Sequence, residues 1–197
     1  IRHLDLGGGL GISYLDEAPP HPEAFGKAIN DQLGAWAGTL IFEPGRVIAG
    51  NAGVIVTEVL YTKDQPDKRF VVVDGAMNDL MRPSLYGAEQ EIRPVREAPE
   101  TSGEVVDVVG PICESGDFLA KERFLPRFAA GDRMAVMSAG AYGATMASNY
   151  NTRPRAPEVL VSGDRFAVVR QRETIDQLLA GEAIPAESWF GEGDGGG

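Results

Sequence analysis

The chain opens Ile1-Arg2-His3-Leu4-Asp5-Leu6-Gly7-Gly8-Gly9-Leu10-Gly11. The first six residues read as a buried strand that runs straight into a glycine loop. Working outward, His21-Pro22 opens a helix, with proline where its missing N–H costs nothing. Phe25, Ala28, Ile29, Leu33 and Trp36 recur at three- and four-residue spacing, which predicts one apolar helix face ending near Gly38. Leu40-Ile41-Phe42 reads as a second short buried strand, stopped by Glu43-Pro44-Gly45-Arg46. Strand, glycine loop, helix, strand and loop make a βαβ unit, parallel and right-handed. A chain that begins inside a strand, with no initiator Met and no signal-peptide pattern, is expected to be a piece of something longer.

After Val47 the texture changes. Residues 54–62, 69–74, 104–109, 132–137 and 165–169 are β-branched runs, and Asp64-Gln65-Pro66-Asp67 reads as a hairpin turn between the first two. A short helix is predicted from Thr174 to Ala180, closed by Gly181. This spacing predicts a mostly antiparallel barrel or sandwich following the α/β piece. Residues 191–197 are expected to be disordered.

Composition narrows the functional classes. The 197 residues allow one good-sized domain or two small ones, and 43% apolar content supplies a core. Eighteen basic against 29 acidic residues give a net charge of −11, which argues against a nucleic-acid or anionic-membrane surface. No apolar run approaches the length of a membrane span. The single Cys113 excludes an internal disulfide framework and leaves no CxxC pair for zinc, so no metal site is expected.

Several stretches carry chemistry, each with a plain structural reading beside it. Gly7, Gly8 and Gly9 follow a strand and precede a helix, where backbone N–H groups close around an anion; a tight structural turn uses the same residues. Glu43, Gly45 and Arg46 sit at the carboxyl end of the next parallel strand, where α/β folds place ligands. Arg46 there suits a phosphate or a carboxylate, or is a solvated loop arginine. Arg82 and Tyr86, four apart, share a face on a helical turn and offer a cation and a phenol to one carboxylate, or form a surface pair. Cys113 is either a small core residue or a thiol exposed on a loop with Glu114, positioned to donate a proton. Tyr142, with small residues on both sides, allows a flat group to approach closely, or is a core tyrosine.

HLDLGGGLGISY (3–14), FEPGR (42–46), VDGAMNDLMRPSLY (73–86), VVGPICESGDF (108–118) and MSAGAYGATMASNYNTRPR (137–155) occur in that order. Together they closely resemble the diaminopimelate decarboxylases, members of the alanine-racemase-like, fold-type III class of pyridoxal-phosphate enzymes. The resemblance runs to about Arg172. It implies the last two βα elements of a (β/α)8 barrel over residues 1–48, a β domain with a short C-terminal helix over 49–190, and a tail over 191–197. It implies that Gly7, Gly8, Gly9, Glu43, Gly45 and Arg46 hold the phosphate of pyridoxal 5'-phosphate. Arg46, Arg82 and Tyr86 match positions that bind substrate carboxylate. Cys113 matches the acid that returns a proton after CO2 leaves, Glu114 the reader of the distal amino group, and Tyr142 a residue touching both cofactor and substrate.

By the same resemblance, Cys113 and Glu114 act across a homodimer interface, so the active site is composite. The implied reaction is decarboxylation of meso-2,6-diaminopimelate to L-lysine in the cytoplasm. The family's Schiff-base lysine has no counterpart among Lys27, Lys63, Lys68 and Lys121, and neither His3 nor His21 matches its stacking histidine. The isolated chain is therefore expected to be inactive. Two rivals stand beside this reading. One is a sister decarboxylase acting on carboxynorspermidine, ornithine or arginine, disfavoured by two arginines and the Cys-Glu-Ser-Gly tetrad. The other is a catalytically silent relative acting as a binding partner, disfavoured by Cys113, Glu114 and Tyr142 being present together.

Overall fold

The computed structural model describes residues 1–96, 102–186 and 189. They fall into two compact units, residues 1–148 and the residues from 149 onward.

In the first unit, β1 (His3–Asp5) pairs in parallel with β2 (Thr39–Ile41), and α1 (Pro22–Leu33) connects them. This is the predicted βαβ unit. Helix α1 stops at Leu33, earlier than the apolar spacing suggests. Gly34 takes a left-handed φ of 56° and turns its N–H onto the Asn30 carbonyl at 3.0 Å, which leaves Trp36 outside the helix. The two strands expected to be buried are largely exposed. A two-stranded sheet with one helix has too little around it to cover both faces. The main apolar ring contact here is edge-on, Phe25 to Phe42 at 6.4 Å.

Helix α2 (Arg46–Ala49) follows the second loop directly. The chain then enters a six-stranded sheet. β3 (Ile55–Gln65) and β4 (Lys68–Val73) form a hairpin around Pro66-Asp67 with Gln65 opposite Lys68. The short α3 (Arg82–Tyr86) ends at Gly87, whose φ of 61° suits a glycine. β5 (Ile92–Pro94), β6 (Gly103–Val109), β7 (Phe118–Pro126) and β8 (Arg133–Val136) complete the sheet. Strand order is β5-β8-β3-β4-β6-β7, antiparallel at each pairing except the parallel β4 and β6. Arg123 of β7 donates to the Gln90 carbonyl beside β5 at 3.3 Å, so the two ends nearly meet. Where a mostly antiparallel barrel or sandwich is expected, the outcome is one nearly closed sheet, antiparallel but for the β4–β6 pair. Val59, Val71, Val73, Leu80, Val108, Met134 and Val136 fill it, each fully buried.

Strands β5 and β7 were not legible as strands. The first has three residues ending in proline, and the second, FLAKERFLP, interrupts its apolar pattern with Lys121, Glu122 and Arg123. Glu122 has a φ of 51°, where its N–H meets the Asp107 carboxylate at 2.7 Å and the register shifts.

In the second unit, β9 (Glu158–Ser162) and β10 (Arg165–Arg170) form a hairpin around Gly163. α4 (Ile175–Leu179) starts at a capping box in which Thr174 and Gln177 exchange side-chain and main-chain hydrogen bonds at 3.2 and 2.9 Å. β9 was not predicted; β10 and α4 were. The expectation for residues 191–197 lies outside the described residues.

Met134→Ala removes a fully buried side chain from the middle of the sheet. It should cost about 2–5 kcal/mol in a urea unfolding series, whereas Ile48→Ala, at a position 70% exposed, should stay within about 0.5 kcal/mol.

Candidate active site

Two loops at the carboxyl ends of β1 and β2 close on each other. Gly7 and Gly9 have φ of 66° and 71°, a conformation that favours glycine. The Gly7 N–H is held by the Asp5 carboxylate at 2.8 Å, and the Gly7 carbonyl accepts the Glu43 N–H at 2.8 Å. A Cβ on Gly8 would stand 2.5 Å from the Glu43 carbonyl oxygen, so the approach of the loops admits no side chain. At Gly9 and Gly45 a Cβ would instead meet open space. Gly8 therefore seals the loops together, while Gly9 and Gly45 leave a bare backbone cradle.

That cradle is one wall of a cleft of about 580 Å³ lined by Gly8, Gly9, Glu43, Gly45, Arg46, Arg82, Tyr86 and Tyr142, with Leu10, Pro44, Val47 and Met146 completing it. Residues from the βαβ unit and from the sheet meet here because their backbones are bonded together. Ala139 and Gly140 donate to the Gly53 and Gly50 carbonyls at 2.8 and 3.0 Å, which brings Tyr142 opposite Arg46. Tyr142 has a φ of 62°, a strained setting for a residue with a side chain. Arg82 lies among tyrosine rings and its Nε is buried with no hydrogen-bond partner. Among the described residues neither Arg46 nor Arg82 is paired with an acid. Two uncompensated guanidiniums in one cleft of a chain carrying −11 form a site for an anion.

Cys113 and Glu114 are not in the cleft. They sit on an exposed turn between β6 and β7, beside α3. Asp117, 4% exposed, holds that turn: its carboxylate accepts the Ile112 N–H at 2.6 Å and the Met77 N–H at 2.7 Å, and its carbonyl accepts the Gly110 N–H at 3.2 Å. Glu114 bonds back within the turn to the Gly116 N–H at 3.2 Å. Gly116 packs against Ser84 of α3, the helix that carries Arg82 and Tyr86. Asp117, Met146 and Tyr14 are not among the expected site residues, although all three stand inside the quoted motifs. A buried acid four residues from a candidate acid–thiol pair is the signal that could have found the first.

The pyridoxal-dependent decarboxylase C-terminal sheet domain matches residues 14–140. The chain belongs to that family. It is 54% identical over 184 residues to a diaminopimelate decarboxylase of Pseudomonas aeruginosa, covering 93% of this chain and 44% of that one. Against the diaminopimelate decarboxylase of Vibrio cholerae the identity is 52% over 188 residues, with 95% and 45% covered. The crystal structure of the Helicobacter pylori diaminopimelate decarboxylase complexed with L-lysine superposes with a TM-score of 0.83 at 41% identity, over 91% of this chain and 44% of that one. The chain thus spans less than half the length of these decarboxylases. The cofactor of the family is pyridoxal phosphate. No helix among the described residues is long and apolar enough to cross a membrane.

Removing the Asp117 carboxylate strands two buried N–H groups. Asp117→Ala should speed amide hydrogen exchange at Met77 and Ile112 by about 5- to 150-fold, the span of one lost buried hydrogen bond. A second outcome concerns Glu17, whose carboxylate accepts the Tyr14 and Leu15 N–H groups, each at 2.8 Å. The Leu15 N–H first, then those of Glu17 itself and of Tyr14, hold its pKa below the usual range. A depressed carboxylate stabilises this turn above the unfolded-state pKa and loses that contribution as the pH falls through the lower folded one. The Tyr14 and Leu15 amide shifts should therefore titrate together in NMR spectra, with a midpoint below that of an ordinary glutamate.

Proposed function

We propose that this chain is the C-terminal portion of a pyridoxal-phosphate-dependent enzyme that decarboxylates meso-2,6-diaminopimelate to L-lysine and CO2. The observation that carries this reading is the cleft, in which an open glycine cradle faces two unpaired guanidiniums and two tyrosines. On this reading residues 1–48 supply the last two βα elements of a (β/α)8 barrel, residues 49–190 the β domain and residues 191–197 a tail. The cytoplasm is its place of work. The relatives that bear the diaminopimelate decarboxylase name, and the lysine held by the Helicobacter pylori protein, support the choice of substrate.

Pyridoxal phosphate, when bound, takes up the electrons left by the departing carboxylate. The chain's own residues supply the rest. The backbone of Gly8, Gly9 and Gly45, with Arg46, holds a phosphate, while Gly7 and Glu43, bonded to each other, fix the two loops that present them. The bare Cβ positions at Gly9 and Gly45 fit that use, since any side chain there would occupy the cradle. Arg46, Arg82 and Tyr86 bind substrate carboxylate, each charge-assisted bond contributing about 1.5–3 kcal/mol. Tyr142 lies against both cofactor and substrate. Cys113 Sγ delivers the proton that replaces CO2, and Glu114 meets the distal ammonium.

Cys113 and Glu114 stand outside the cleft of their own chain, which fits service to the cleft of a second copy, hence a homodimer with composite sites. Lys27 pairs with Asp31, Lys68 with Asp107, Lys121 lies over Phe118, and Lys63 is on β3. None lines the cleft, so the lysine that carries the cofactor comes from a part of the protein outside these residues, and the chain alone is inactive. Ornithine, arginine and carboxynorspermidine each bring one carboxylate and leave a guanidinium unmatched.

In the full-length protein, CO2 release from meso-diaminopimelate should exceed that from ornithine or arginine. Glu114→Gln should lower kcat/KM by about 10- to 150-fold, and Cys113→Ala should lower kcat by about 10²- to 10⁴-fold. More than about a tenth of the wild-type turnover in Cys113→Ala overturns the acid role. Mixing the Cys113→Ala protein with one lacking the cofactor lysine should restore activity in heterodimers, and no recovery counts against shared sites.

A further inference from the structure

Arg82 is enclosed by three aromatic rings. Its guanidinium carbon lies 5.1 Å from the ring centre of Tyr142, 5.3 Å from that of Tyr86 and 5.8 Å from that of Tyr14. Tyr86 and Tyr142 line the cleft together with Arg82, and Tyr14 does not. The Tyr14 hydroxyl is buried without a hydrogen-bond partner, so what this residue offers Arg82 is its ring. A buried phenol with no partner is costly, and phenylalanine would fill the same space without that cost.

The ring is held from both sides of its backbone. Glu17 accepts the Tyr14 N–H at 2.8 Å, and the Tyr14 carbonyl accepts the Glu91 N–H at 3.2 Å from the start of β5. The preceding carbonyl, of Ser13, takes hydrogen bonds from Asn51 Nδ2 at 2.9 Å and Ser138 Oγ at 3.2 Å. A free arginine side chain loses rotamer freedom when a ligand orders it, and that loss weakens binding. Stacked on a fixed ring, Arg82 has already given up that freedom. Its buried Nε has no protein acceptor, and the side chain lines the cleft, where its fork of donors can meet a ligand.

We infer that Tyr14 is a positioning residue, a fixed aromatic wall that orients Arg82 for a substrate carboxylate. The inference rests on the decarboxylase reading, and it adds a residue that touches neither substrate nor cofactor. Tyr14 acts through Arg82 and through its ring face. Replacing the ring by an aliphatic chain should therefore weaken substrate binding without slowing the chemical step.

The test uses the full-length enzyme loaded with pyridoxal phosphate. Tyr14→Leu and Tyr14→Met should raise KM for meso-diaminopimelate about 5- to 30-fold, the size of a desolvated cation–π contact, with kcat within about twofold. Tyr14→Phe should keep KM within about twofold of wild type, because the ring remains. In an Arg82→Met background, Tyr14→Leu should change kcat/KM by less than about twofold. Absorbance of the bound cofactor reports loading in each variant. An unchanged KM in both aliphatic variants, a Tyr14→Phe enzyme as impaired as they are, or a loss that persists in Arg82→Met overturns the Tyr14 role and leaves the decarboxylase reading standing. Failure of both aliphatic variants to load cofactor makes Tyr14 a packing residue and overturns the role as well. If the wild-type enzyme does not turn over meso-diaminopimelate, or Arg82→Met has no effect, both readings fall.

Discussion

The whole arrangement depends on a contact between two stretches of bare backbone. Gly50 and Gly53, just past α2, accept hydrogen bonds from Gly140 and Ala139, beyond β8. A Cβ on Gly53 would come within 2.6 Å of the Gly140 Cα, and one on Gly140 would run into the Ala49 carbonyl. Nothing larger than glycine allows the chains to approach this far. Because they do, the loop that ends in Arg46 and the turn that carries Tyr142 face each other across one cleft.

Around this contact the polar groups are used as ties. Asn51 Nδ2 bonds both the Ser138 hydroxyl at 2.6 Å and the Ser13 carbonyl at 2.9 Å, which joins three distant stretches at one amide. Buried Gln90 donates from Nε2 to the carbonyls of Met137 and Ser138 at 3.2 and 3.1 Å. Asp117 does the same for the Cys113 turn, with two main-chain N–H groups on one carboxylate. Each of these side chains satisfies buried backbone groups that would otherwise be costly. In the cleft, by contrast with these ties, Arg82 Nε has no protein partner. A guanidinium nitrogen without a protein partner, beside a cradle of glycines, suits an anionic ligand.

The proposed composite site is supported by where the Cys113 turn sits. The Cys113 turn packs through Gly116 against Ser84, the middle residue of the short helix that presents Arg82 and Tyr86. In its own chain the turn is exposed, and the thiol lies away from the cleft.

Much of this was legible in one dimension. The β-branched runs marked β3, β4, β6, β8 and β10, because branched side chains favour the extended backbone and that preference shows in any local window. The glycine loop, the Glu43 to Arg46 loop and the α3 stretch carried their chemistry in residue types that local sequence exposes. Strand β7 was not legible, since Lys121, Glu122 and Arg123 break its pattern and only pairing with β6 makes it a strand. The parallel pairing of β4 with β6 was hidden for the same reason: register between distant strands is decided by which faces pack, and no local window contains it. The sequence by itself determined the element types, the family and the glycines and arginines of the cleft, because backbone freedom and fixed charge are properties of single residues. Only the tertiary structure decided that Tyr14, Tyr86 and Tyr142 surround one guanidinium and that Cys113 stands apart from it, because those facts depend on distances between stretches as much as 128 residues apart in the chain, from Tyr14 to Tyr142.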